Sequence, residues 1–181
     1  IVPIRTMIVG TGLKTEIEKP NDTPIQDYGL VDRSKVANLP GRLEAAIQSV
    51  VLHVDPETGI AFKDLNTLWF EGGMSSAKRA AKIFNDLYDA ALDQDGEPTH
   101  NLYPHGYAVA VTSETPSEDR VGRHGKKQLG ASTIYELHRQ GIIPVVVVVG
   151  KGIRSLNIPQ TKLVVMSSTS ANPNLVEQAI G

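Results

Sequence analysis

Residues 145–149 are five valines in a row, and few folds accept such a run. Successive side chains of a strand point to opposite faces, so an unbroken β-branched run needs apolar cover on both sides. An antiparallel sheet with one wet face covers only half of it. The run therefore predicts a strand inside a parallel sheet, with helices packed above and below. The rest of the chain keeps to that plan. Apolar runs at 4–9, 67–70, 107–111 and 162–166 read as further strands, and 3–4 spacing of apolar residues at 42–48, 76–92, 129–139 and 174–180 reads as helices. Their alternation predicts a three-layer Rossmann-like α/β domain, its sheet mainly parallel and helices on both faces.

The connections are set by glycine, proline and charge. Residues 14–40 are polar and punctuated by Pro20, Pro24, Gly29 and Pro40, a long loop of the kind that is functional or mobile. Residues 49–54 are β-rich and precede a turn at Asp55, Pro56 and Gly59; a helix running on into a strand and a β-hairpin both fit there. The acidic, turn-rich stretch 93–105 and the charged stretch 112–127 read as surface loops. Gly141 closes the 129–139 helix as a glycine C′ residue. With 181 residues and no internal repeat, one domain spanning 1–181 is expected.

Composition removes several chemistries. The chain has no cysteine, which rules out disulfides, thiolate metal sites and thiol nucleophiles. A net charge of -2 gives no overall attraction to nucleic acid or an anionic membrane. The longest apolar run, 142–149, is too short to span a bilayer and contains Pro144. No secretory signal is visible, so a cytoplasmic location is expected, although Ile rather than Met at position 1 leaves a preceding segment open.

Ligands of open parallel sheets gather beyond the carboxyl ends of the strands. Four segments are expected there: Gly10, Thr11 and Gly12; Glu71 to Ser75; Thr112, Ser113 and Glu114; and Gly150, Lys151 and Gly152. The second is the most pointed. An apolar strand breaks at Gly72 and Gly73 and becomes at once a helix whose start is expected to be capped by serine. Glycine lets a ligand approach the backbone, and a helix start offers unpaired N–H groups to an anion. Glu71, Gly72, Gly73, Ser75 and Ser76 are therefore candidate ligand-binding residues, with Gly10 and Gly12 contributing a second glycine turn. Gly10 and Gly12 lack the third glycine of a dinucleotide fingerprint. Arg120, Arg123 and Lys126 would offset the ligand's charge, and Glu114 or His124 would move protons. The glycines of 122–127 are wrongly spaced for a P-loop, and Lys127 stands where a Mg²⁺-binding hydroxyl belongs. His53, His100, His105 and His138 form no metal signature, no metal site is expected, and no serine-hydrolase elbow occurs.

The order of these parts resembles the bacterial SanA/YdcF-like α/β family. The likeness rests on the strand and glycine turn at 7–12, the helix containing Arg42, Leu43, Ala46 and Ile47, the strand, glycine pair and helix at 69–81, and residues 112–137. It covers about residues 6–150 in topology and implies the α/β fold. The Ser-Glu-Ala expected after the double glycine is replaced here by Ser75, Ser76, Ala77 and Lys78. Glu71 and Gly72 also resemble the strand end of the TOPRIM fold, but no Asp-x-Asp follows residue 111, which disfavours metal-dependent nucleic-acid chemistry.

Two functions are carried forward. One is an enzyme acting on a phosphorylated or nucleotide-like small molecule at the strand ends, with no cofactor specified. The other is a non-catalytic subunit of a larger assembly, such as a virion or injection-apparatus component, as a homo-oligomer or with other chains.

Overall fold

The structure, a computed structural model, describes residues 40–121, 125, 127–149 and 160–167. The expected strand at 4–9, the loop at 14–39 and the helix at 174–180 lie outside them. The chain divides into two compact units, Ile1–Lys63 and Asp64–Gly181.

In the first unit, helix α1 (Arg42–Val51) buries Leu43, Ile47, Val50 and Val51 along one stripe. The β-rich residues 49–51 are helical because that stripe continues through them, and its burial overrides their strand propensity. The hairpin expectation survives only as a single antiparallel bridge, Val54 to Ala61. The turn between them is closed by the Asp55 amide donating to the Ile60 carbonyl at 3.0 Å, with Gly59 at φ 69°. The His53 ring stands edge-on to Phe62, 4.7 Å between centroids.

The second unit is built on four parallel strands: β1 (Thr67–Glu71), β4 (Ala108–Val111), β7 (Val145–Val149) and β8 (Leu163–Met166), in the spatial order β4-β7-β1-β8. The α/β fold with a parallel sheet is thus present. Helix α2 (Met74–Tyr88) joins β1 to β4, and helix α3 (Ala131–Arg139) lies between β4 and β7. The first connection moves outward past β7 and the second moves back. Right-handed crossovers in opposite directions place the two helices on opposite faces. Side-chain parity agrees. Leu68, Phe70, Val146 and Val148 pack with Ile134 of α3 and Ile143. On the other face Trp69 meets Phe84 of α2 edge-on at 5.3 Å. Ala77, Ala80 and Ala81 are also buried on α2, small side chains that let the helix lie close to the strands. An aromatic seam continues from Phe84 to Tyr107 at 6.2 Å, flanked by Tyr88 and Tyr103. Burial raises the Tyr107 hydroxyl above its usual range.

Two expectations on the connections are corrected. The helix expected at 76–92 spans 74–88 instead, because Ala90–Leu92 (β2) leaves it to pair with Pro98–Asn101 (β3). The expected loop at 93–105 is therefore largely a hairpin. Its turn is held by the Asp93 carboxylate, which accepts from the amides of Asp95 and Glu97, with Gly96 at φ 84°. The Asn85 side chain then fixes the start of β4: its Oδ1 accepts from the Ala108 amide at 2.8 Å and its Nδ2 donates to the Ala108 carbonyl at 3.0 Å.

α3 ends as expected at Gly141, φ 75°, in a Schellman turn: Ile142 N–H donates to Leu137 and Gly141 N–H to His138. Among the described residues no helix is long and apolar enough to cross a membrane.

Candidate functional site

Strand β1 runs directly into α2 through Gly72 and Gly73, as the sequence predicts. The cap differs from expectation. Gly73 is itself the N-cap, extended at φ -149° and ψ 160°, with no side-chain cap. The serines fall inside the first turn instead. Ser75 is exposed, and the half-buried Ser76 turns its hydroxyl back to donate to the Gly73 carbonyl at 2.9 Å. The first intrahelical bond is made by Ala77 N–H to Gly73 O. The amides of Met74, Ser75 and Ser76 precede it and have no acceptor among the described residues.

Gly73 owes nothing to backbone strain. Its dihedrals suit any residue, and an added Cβ would meet only Ser76 Oγ, at 3.8 Å. Glu71 is placed differently from a surface ligand. It is 1% exposed, on the same face as Trp69, and accepts the indole N–H at 2.7 Å. Its carboxylate supports the core beneath the turn.

Glu114 is brought to this turn. The end of β4 folds into a compact Thr112–Thr115 turn, in which the Thr112 amide donates to Thr115 Oγ1 and the Glu114 amide to Thr112 Oγ1. Ser113 Oγ then lies 3.0 Å from Met74 Sδ, and Glu114 Oε2 lies 2.5 Å from Lys78 Nζ. One amide-rich helix start, one lysine and one carboxylate share the edge. In the sequence Lys78 stands out only as part of the stretch after the double glycine; its i+4 spacing from Met74, which puts both on one helix face, is the signal that could find it.

The charged stretch 112–127 is not a simple loop. Arg120–Val121 (β5) pairs with Lys127–Gln128 (β6), and the segment before β5 straps the start of α3. Ala131 N–H donates to Pro116 O at 2.7 Å, Ser132 N–H to Ser117 O at 3.2 Å, and Gly130 N–H to the Asp119 carboxylate at 2.8 Å. The Gly130 amide, then the Thr133 hydroxyl and Lys127, hold Asp119 below the usual carboxylate range. The two helix starts therefore differ: α3's amides are filled by the strap, whereas α2's find no acceptor among the described residues.

Arg120 is exposed on β5, and no ion pair among the described residues joins it to Glu114. Gly10, Gly12, Arg123, His124 and Lys126, with the expected Gly150, Lys151 and Gly152 turn, lie outside the described residues. His138 belongs to the core, fully buried and bonded to the Ile143 carbonyl. Among the described residues no three acidic or histidine side chains gather to hold a metal. Compared with known proteins, the chain matches no family model and no curated sequence.

Proposed function

We propose that this protein is an enzyme acting on a phosphorylated or nucleotide-like small molecule, bound at the carboxyl edge of the sheet. The observation that carries it is the first turn of α2, whose amides have no acceptor among the described residues, set directly beyond the inner strand β1 and beside Lys78 and Glu114. Three aligned amides with a helix dipole behind them favour an anion, and Lys78 adds a mobile positive charge. Glu114, already paired with that lysine, is the described carboxylate placed to take or give a proton once a ligand displaces it.

The test is a thermal-shift screen with nucleotides and sugar phosphates. A ligand at 100 times its Kd adds about 2.7 kcal/mol, which corresponds to about 5–10 °C in a chain of this size. Ser75→Asp separates binding from folding. A carboxylate in the first turn stabilises the helix by about 0.3–1 kcal/mol yet repels an anion there. The variant should melt slightly higher than wild type and lose the ligand shift. No shift with any phosphate compound, together with a large oligomer by native mass spectrometry, would instead favour the assembly subunit.

A further inference from the structure

The amino edge of the sheet, opposite the proposed site, is knotted around one buried imidazole. His138 is 0% exposed. Its Nδ1 lies 2.7 Å from the Ile143 carbonyl, an obligate acceptor, so this nitrogen carries the proton. Its Nε2 is left as an acceptor facing the Thr161 hydroxyl at 3.5 Å, just ahead of β8. The His138 carbonyl accepts from Asn66 Nδ2 at 3.1 Å, and the Asn66 carbonyl in turn accepts the amides of Lys162 at 2.9 Å and Leu163 at 3.2 Å. One residue of α3 thus touches the entry to β7 and, directly and through Asn66, the entry to β8.

Among the described residues no counter-charge meets the ring. On α3, Glu136 and Arg139 are exposed and bonded to each other. Asp64 ahead of β1 and Lys162 ahead of β8 are exposed, and β7 contributes only valines. Burial holds the imidazole below its ordinary value, and only the Ile143 carbonyl works against that.

We propose that His138 is an acid-operated latch on β8, whose protonation frees the amino end of that strand from the sheet. Among the described strands β8 stands at the edge, hydrogen-bonded to β1 alone in the sheet order. Its departure hydrates the ring while β4, β7 and β1 stay paired. A cationic imidazole with no carboxylate in reach among the described residues is costly in the closed sheet and costs little once the edge has lifted. The sign follows from proton linkage. The open state binds the proton first, so closure is at full strength above the ordinary histidine value, and opening grows as the pH falls below it.

Amide hydrogen exchange on the intact protein, corrected for the intrinsic rate, reads this directly. Between pH 7.5 and 5.0, protection at Lys162 and Leu163, whose amides bond to the Asn66 carbonyl at the amino end, should fall by up to about 30-fold, the factor for a group of ordinary pKa near 6.5 that stays neutral until the strand opens. Protection within β7 should not follow. His138→Gln, which retains an N–H donor and cannot titrate, should abolish the step. Should that variant not fold, an NMR titration of the wild-type imidazole decides: a value depressed below 6.5 supports the latch. An ordinary or raised value overturns it, as does a β8 protection that ignores pH or that falls in step with β7.

Discussion

Gly130→Ala tests whether the strap at 116–119 is a structural element or a passive loop. Gly130 has φ -80° and ψ 161°, a conformation open to any residue, so backbone strain gives no reason for glycine there. Close approach does. A Cβ would stand 2.6 Å from Glu118 Cα and 2.7 Å from Asp119 N, with the Glu118 carbonyl carbon nearer still. All three are backbone atoms, so no rotamer change relieves the clash. The variant has two routes. Keeping the strap in place overpacks the contact, at about 1–3 kcal/mol. Letting it lift breaks the Ala131–Pro116 and Ser132–Ser117 hydrogen bonds, each worth about 0.5–1.5 kcal/mol. The two routes cost about the same. Alanine's smaller unfolded-state entropy returns about 0.4–1 kcal/mol, leaving a net loss of about 1–2 kcal/mol. Trp69 is the only tryptophan and is fully buried, so its fluorescence follows urea unfolding without a label. The control is Gly73→Ala, whose new carbon meets nothing closer than 3.8 Å. A Gly130→Ala midpoint equal to or above wild type, with an unchanged denaturant slope, would refute the packing argument.

Asn85→Ala removes both hydrogen bonds to Ala108 and should cost about 1–3 kcal/mol, since it leaves a half-buried amide and carbonyl unpaired; differential scanning calorimetry measures it. Glu71→Leu should destabilise and shift the Trp69 emission, while Glu71→Gln, which can still accept the indole N–H, should keep the wild-type spectrum. Equal spectra for the two variants would show that this bond does not position the ring. The Gly130 amide, the Thr133 hydroxyl and Lys127 hold Asp119 below the ordinary aspartate value in the folded protein, so the unfolded chain takes up the proton first. Its stabilising effect is whole above that value and disappears as the pH falls through the folded one. Asp119→Asn should therefore flatten the acid limb of the stability profile, and an unchanged limb would contradict the capping role.

Where side chains bury, the pattern is readable. The valine run, the 67–70 strand and the 76–92 stripe reappear because each repeats apolar residues with the period of its element. Boundaries slip where burial stops. Leu87 and Leu92 extend the helical spacing, but both are exposed, and the chain leaves the helix after Tyr88. Strand β3, with Pro98, Thr99, His100 and Asn101, faces water throughout and offers no alternation to read. The strap is invisible for another reason. It is held by backbone carbonyls and one aspartate, which leave no mark in hydrophobicity. The glycine pair pointed to the turn, whereas the Glu114–Lys78 pairing depends on how two crossovers land, which no local spacing encodes.

The order of the sheet bears on how the chain comes to exist at all. One of its two inner strands, β1, is also the first of the four to be synthesised. Thr67 finds its partners only at Val145 and Leu163. Until then Leu68, Trp69 and Phe70 lack both of the described strands that flank them, and a growing chain carries this apolar segment unsatisfied until Val145 emerges. A product halted before Val145 should need a chaperone, and one halted before Leu163 should leave β1 bare along one side, ready to recruit a neighbour's strand.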